Sequence, residues 1–317
     1  MRTFLREWQA ELKRTLTGSP DAQPDWSRKF AQGDDPGYFL PGSAVWTVHG
    51  GVPTIVGGIR SLLMQTLHPA VLAGVHDHSN FREDTLGRLA RTTAWIHALT
   101  YGSTAEARAA TARVVRLHES VNGKYVDGDG GVQKYSANDP ELLRWVHITF
   151  TDSFLRTHEL WAGPIPGGPD AYVREWAQAG RLMGVESPPE SKAALVRELA
   201  EWSAEGTLRC DERVSETVAF IRNPPLHPLL KPGYRVLFAA AVLSLDPDYR
   251  RLLGLRTARL GPLPLPVRSA ARATLAVVRL ALGPASPSQL AARERLRRLG
   301  VTQLPPATGG RKQKTRS

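Results

Sequence analysis

Apolar residues recur at three- and four-residue spacing along almost the whole of this 317-residue chain, broken at intervals by Pro- and Gly-rich stretches. That period places them on one face of a helix, and a chain that repeats it in every segment has to bury helix against helix. No run of alternating Val, Ile and aromatic residues between hairpin turns competes with it. The reading is an all-α protein. With 42% hydrophobic residues in a chain of this length, a sizeable core can be buried, so a single large helical domain is expected.

The breaks divide the chain. Residues 20–43 are dense in Pro, Gly and Asp and are expected to form an extended arm after a short amphipathic first helix. "VPTIVGGIRSLLMQTLHPAVLAGVHDHS" reads as an apolar helix, a break at Pro69, and a shorter helical piece. Helices are expected over 85–99 and 104–122. Asp139, Pro140 and Glu141 then give an N-cap, a first-turn proline and a carboxylate at the positive helix end. Further helices are predicted over 170–183, 189–206, 211–222 and 233–244. Two arginine-rich amphipathic helices, 266–282 and 287–299, should pack on the domain before a basic tail, 304–317, expected to be disordered. The division is a first helix and arm (1–37), a main domain (38–260) and the C-terminal helices (261–303).

Composition narrows the function. The lone Cys210 excludes an intramolecular disulfide and thiolate-cluster metal sites, and it fits a reducing, cytoplasmic setting. Charged residues run through the first twenty positions, so no export signal is read there, and Arg or Pro breaks every candidate membrane span. The net charge of +11 invites a polyanion partner. Much of the excess lies beyond residue 248, however, without zinc-finger spacing or an RNA-binding aromatic strand, so nucleic acid is not expected as a partner. "VRSAARATLAVVRLALG" and "RERLRRLG" do carry arginines beside apolar faces, which makes weak peripheral contact with a membrane an expectation.

Three groups of residues could carry chemistry. His118 shares a helical stripe with Val114, Leu117 and Val121 and should face inward; His147 lies in a second stripe with Leu143, Phe150 and Phe154. A buried neutral imidazole must find partners for its nitrogens, whether a hydrogen bond, a proton to transfer or a metal. Arg88, Arg91 and Thr92 fall at i, i+3 and i+4, so two guanidiniums and a hydroxyl are expected to project from one helical face, toward an anion or simply toward solvent. Neither Glu-x-x-His on two helices nor His-Glu-x-x-His occurs, and there is no Gly-x-Ser-x-Gly elbow or Walker pattern. A haem, by contrast, asks for one axial imidazole, an apolar slot and basic groups near its propionates.

In order along the chain, "PGSAVWTVHGG", "GGIRSLLMQTLHPAVLAGVHDHSNFRED", "LGRLARTTAWIHALTYG", "VRLHESVNG" and "YSANDPELLRWVHITFTDSF" resemble the catalytic domain shared by latex-clearing rubber oxygenases and MpaB-type oxygenases, over about residues 38–260. The resemblance implies a globin-like helical fold, haem b as cofactor, and O2 with an unsaturated apolar substrate, whose double bond the family cleaves oxidatively; an unidentified reductant is a further expected partner. It implies that His118 is the axial ligand, and hence the metal-binding residue, with His147 near the haem, supporting it or taking the axial place instead. Arg88 and Thr92 match the family's arginine and threonine. Arg91 falls where those enzymes carry a lysine, and because arginine ligates iron poorly, a lysine-capped closed state is not implied. His68, His76 and His78 belong to the second block, as caps or packing residues. A small isoprenoid- or lipid-like substrate fits this chain better than polyisoprene. The alternatives from other classes are a haem or lipid carrier without turnover and a peripheral membrane protein.

Overall fold

The computed structural model describes residues 2–18, 24–78, 84–128 and 130–301. In chain order they form α1 (Arg2–Thr17), α2 (Asp25–Arg28), a 3-10 turn (Lys29–Ala31), α3 (Ala44–His49), α4 (Thr54–Gln65), α5 (Pro69–His78), α6 (Thr85–Tyr101) and α7 (Thr104–Glu119). A hairpin of β1 (Asn122–Val126) and β2 (Val132–Ser136) follows, then α8 (Pro140–Trp161), α9 (Gly168–Met183), α10 (Lys192–Ala204) and α11 (Glu212–Arg222). A second 3-10 turn (Pro228–Leu230), α12 (Lys231–Ser244), α13 (Pro247–Leu252), a minimal hairpin of β3 (Arg259–Leu260) and β4 (Leu263–Pro264), α14 (Val267–Leu282) and α15 (Pro287–Arg298) complete it. The fold is all-α, as the periodicity requires.

The centre is α8, which packs on α4, α9, α10 and α12. Trp145, Ile148, Phe154 and Leu155 supply its apolar burial. Its buried threonine hydroxyls are satisfied within the helix: Thr149 donates to the Trp145 carbonyl at 2.8 Å, Thr151 to the His147 carbonyl at 2.7 Å and Thr157 to the Ser153 carbonyl at 2.8 Å. Helix α4 comes close because Gly57 faces Phe154 and Thr157; a Cβ there would lie 3.0 Å from the Thr157 hydroxyl. Buried Arg60 of α4 crosses the same seam, ion-paired through Nη1 with Asp152 at 2.6 Å and donating to Ser153 Oγ at 2.9 Å.

Four expectations are corrected. Residues 122–136 hold a polar antiparallel hairpin, with Asn122 opposite Ser136 and Val126 opposite Val132. The predicted helix over 104–122 accordingly stops at Glu119. The hairpin closes because Asp127 accepts from the Gly131 N–H at 2.7 Å, and Gly123 leaves room for the Tyr135 ring, which a Cβ would meet at 3.0 Å or less. The expected arm over 20–43 contains helical turns and is tied down: buried Arg295 of α15 donates to the carbonyls of Phe30 (2.6 Å) and Tyr101 (3.0 Å). Asp139 occupies the N-cap position of α8 without a side-chain cap bond, so Pro140 alone marks that start. Short helices α3 and α13 were not expected; α3 is capped by Ser43, and Glu175 accepts from the N–H groups of Ala44 and Val45. The tail over 304–317 lies outside the described residues.

Candidate functional site

Asp84 caps α6 by accepting from Gly87 N–H at 3.0 Å, and its other oxygen accepts from Arg91 Nη1 at 3.0 Å. Arg91 is therefore held at the helix entrance in an exposed ion pair and does not converge with Arg88 and Thr92 on one anion. Arg88 is half-buried, and desolvation followed by the neighbouring charge of Arg91 lowers its pKa. Thr92 is exposed one turn further on. The stripe Arg88, Thr92, Trp95, Leu99 thus runs from a polar, open end to the apolar core.

His118 ends α7. Val114, His118 and Val121 are half-buried as expected, but Leu117 is 63% exposed, since only one edge of this last turn is covered. The residues after the hairpin supply that cover: Asn138 donates to the Val115 carbonyl at 3.1 Å and Ala137 N–H to the Val121 carbonyl at 2.8 Å. His118 Nδ1 is buried and has no hydrogen-bond partner among the described residues. Burial pushes the ring's pKa down, against smaller upward effects of hydrogen bonding with the Asn138 side chain and the Ala137 backbone, so the imidazole is neutral at neutral pH.

His147 faces α9 where Gly180 stands; a Cβ at 180 would lie 3.0 to 3.1 Å from three atoms of the ring. Burial, with Arg144 and Arg181 adding to it, lowers its pKa to about 4, and its Nε2 is buried without a partner. Helices α7 and α8 both pack on α9, which is the element the two histidine-bearing helices share. Exposed apolar side chains sit beside each candidate in sequence: Leu89 next to Arg88, Leu117 next to His118, Val146 next to His147.

The other histidines divide sharply. His68, at the break before α5, is buried edge-on to Trp202 with both ring nitrogens unpartnered, and burial lowers its pKa to about 4. Half-buried His76 pairs with Asp77 at 3.2 Å, and exposed His78 Nε2 meets the Asn122 carbonyl at 2.9 Å. His158 is buried too, and burial pushes its pKa down against smaller upward effects of the Gly163 backbone and Glu159. His49 was not singled out from sequence, although it closes the apolar stretch "AVWTVH". It lies inside a cage of Phe150, Phe154, Tyr172 and Trp176, with Nδ1 2.8 Å from Thr100 Oγ1 and Nε2 3.1 Å from Tyr172 Oη. The Thr100 hydroxyl donates to the Ile96 carbonyl, so it accepts from Nδ1–H and leaves Nε2 to accept from Tyr172. That fixes one neutral tautomer.

Of three surface hollows among the described residues, one of about 240 Å³ is bordered by Leu72, Tyr125, Val132, Arg209 and Arg213, a second of about 500 Å³ by Arg144, Glu198 and Trp202, and a third of about 610 Å³ by Arg181, Gly184 and Glu190; none is lined by Arg88, Thr92, His118 or His147.

Compared with known proteins, residues 46–280 match the family described as ER-bound oxygenase mpaB/B'/rubber oxygenase, catalytic domain. No curated protein and no solved structure matches the chain. The matched stretch runs from α3 almost to the end of α14 and takes in every block quoted for the resemblance except the first residues before Trp46. With nearly three quarters of its length under that match, the chain belongs to the mpaB/rubber oxygenase catalytic-domain family.

Proposed function

We propose that this oxygenase-family chain is a haem b-dependent oxygenase acting with O2 on a small apolar unsaturated substrate, of isoprenoid or other lipid-like class, by oxidative cleavage of a carbon–carbon double bond. The observation that carries the reading is His118: a half-buried neutral imidazole at a helix end, with one ring nitrogen desolvated and unpartnered. An orphaned nitrogen of that kind costs on the order of 1–3 kcal/mol, which a metal bond would offset. Among the described residues no three His, Cys, Asp or Glu side chains form a metal site, whereas a haem takes a single axial imidazole from the protein. The donor chemistry at His118 therefore fits a haem.

When bound, the haem supplies the oxygen and electron-transfer chemistry. The chain's residues do the rest. His118 would hold the iron, and its burial keeps the ring unprotonated and able to ligate. His147, also neutral, supports the site from α8, with its ring fixed against Gly180. Arg88 offers a partly desolvated positive charge, suited to a propionate or to the polar end of a product, and Thr92 offers a hydroxyl donor beside it. Arg91, engaged by Asp84, keeps Arg88 from being the only cation at this end without itself reaching inward.

Oxygen uptake tests the proposal. Haem-loaded, reduced protein given an unsaturated isoprenoid hydrocarbon such as squalene should consume O2 and yield carbonyl products. Stable haem binding with no uptake over a range of unsaturated lipids would make the protein a carrier and overturn the catalytic reading.

A further inference from the structure

From Tyr249 to Arg293 the chain carries eight arginines and no Asp, Glu or Lys. The same stretch holds six of the large apolar side chains that the fold leaves exposed. Leu260 and Leu263 are 71% and 67% exposed and stand directly opposite one another across β3 and β4, at the tip of a two-residue Gly261–Pro262 turn. Two positions beyond Leu263, just past the end of β4, Leu265 is also exposed. The Arg259 guanidinium donates to the Pro262 carbonyl and so closes the turn beneath the leucines.

Helix α14 follows at once and has two apolar faces. Val267, Ala271, Leu275 and Val278 are buried inward. Ala273, Val277 and Leu280 fall at i, i+4 and i+7 on the outward side, where Leu280 is 83% exposed, with exposed Arg272 and Arg279 beside them. The inward face already accounts for the docking of α14 on α12. The outward leucine and valine contribute nothing to the fold.

We infer that the β3–β4 tip and the outward face of α14 form a docking surface for an anionic phospholipid bilayer. Charge complementarity chooses the occupant. A second copy of the chain would set this acid-free arginine face against itself, and residues 302–317 carry Arg311, Lys312, Lys314 and Arg316 with no acid, so they are repelled from it as well. A bilayer of anionic lipid offers what the surface lacks on both counts: negative headgroups for the arginines and an acyl boundary for the leucines. No helix among the described residues is long and apolar enough to cross a membrane, so this contact is one of a protein lying on the surface. The inference does not depend on the haem reading, although a bilayer-seated protein would meet apolar substrates where they partition.

Vesicle co-sedimentation of the full chain tests it, comparing phosphatidylcholine alone with a phosphatidylcholine–phosphatidylglycerol mixture. Binding should be confined to the mixed vesicles and should weaken as salt is raised. The variants Leu260→Asp/Leu263→Asp and Arg268→Glu/Arg272→Glu/Arg279→Glu should each lower binding roughly tenfold or more, with helical content unchanged because all five side chains are exposed. A chain ending at residue 301 should bind as the intact one does. Failure to bind the mixed vesicles, or binding indifferent to either variant, would overturn the inference. So would loss of binding on removing 302–317, or a vesicle-free dimer that Leu260→Asp/Leu263→Asp abolishes.

Discussion

His49 and His118 are two neutral, inward-facing histidines near the ends of helices, and their surroundings differ in one respect. His49 has both nitrogens engaged, by Thr100 and Tyr172, inside a closed aromatic cage. His118 is only half-buried, and its desolvated Nδ1 has no hydrogen-bond partner among the described residues. A satisfied imidazole is part of the architecture and has no capacity left for a ligand. An unsatisfied one at the rim of the core keeps a donor or acceptor to which chemistry can be attached. His147 stands between them, buried like His49 but unsatisfied at Nε2 like His118.

The contrast predicts opposite phenotypes. His49→Ala removes two hydrogen bonds and empties a fully packed cage, so it should cost about 3 kcal/mol or more, read as a lower urea midpoint. His118→Ala should cost under about 1 kcal/mol at a half-exposed helix end and leave the midpoint nearly unmoved. Equal destabilisation by the two would erase the distinction.

Acid should expose the same difference. The pKa of His49 is depressed to about 3 and those of His68 and His147 to about 4, from an unfolded value near 6.5. Between about 6.5 and about 4 the unfolded chain takes up protons that the folded chain refuses. Stability is therefore fully present above 6.5 and falls as the pH drops through that window, by up to ~3 kcal/mol for each such group. Urea unfolding at pH 7 and pH 5 should show the fall, and His147→Gln, which cannot titrate, should make it smaller.

How much of this is legible in the sequence depends on the kind of signal. Helix α8 is announced by Pro140 and a long apolar period, and α6 by its stripe, because local chemistry fixes both. The β1–β2 hairpin escapes for the opposite reason: "NGKYV" and "VQKYS" are polar, and their pairing is fixed by the Asp127 turn and by Tyr135 sinking against Ala70 and Leu142. The partners of Arg60 and Arg295 are far along the chain, so nothing local marks either as buried. At the site, the inward placement of His118 and His147 follows from period alone. What period does not reveal is that Leu117 turns outward, that Arg91 is taken by Asp84, or that His49 finds Thr100 and Tyr172.

Smaller perturbations sharpen the picture further. Gly180→Ala places a methyl carbon within 3.1 Å of the His147 ring and should cost about 1–3 kcal/mol in thermal unfolding, because both helices are packed and neither can retreat freely. If the cost is near zero, His147 is not pinned between α8 and α9. Smallest of all, Arg91→Gln breaks an exposed ion pair with Asp84 and should change stability by less than about 1 kcal/mol, falling further at high salt. Arg88→Gln, by comparison, should weaken haem retention while Arg91→Gln leaves it intact.

The absorption spectrum of haem-reconstituted protein tests the central claim most directly, with wild type, His118→Ala and His49→Gln measured side by side. The account predicts a strong Soret band in the wild type, its loss in His118→Ala with helical content retained, and its persistence in folded His49→Gln. A Soret band of unchanged position and intensity in His118→Ala would contradict it.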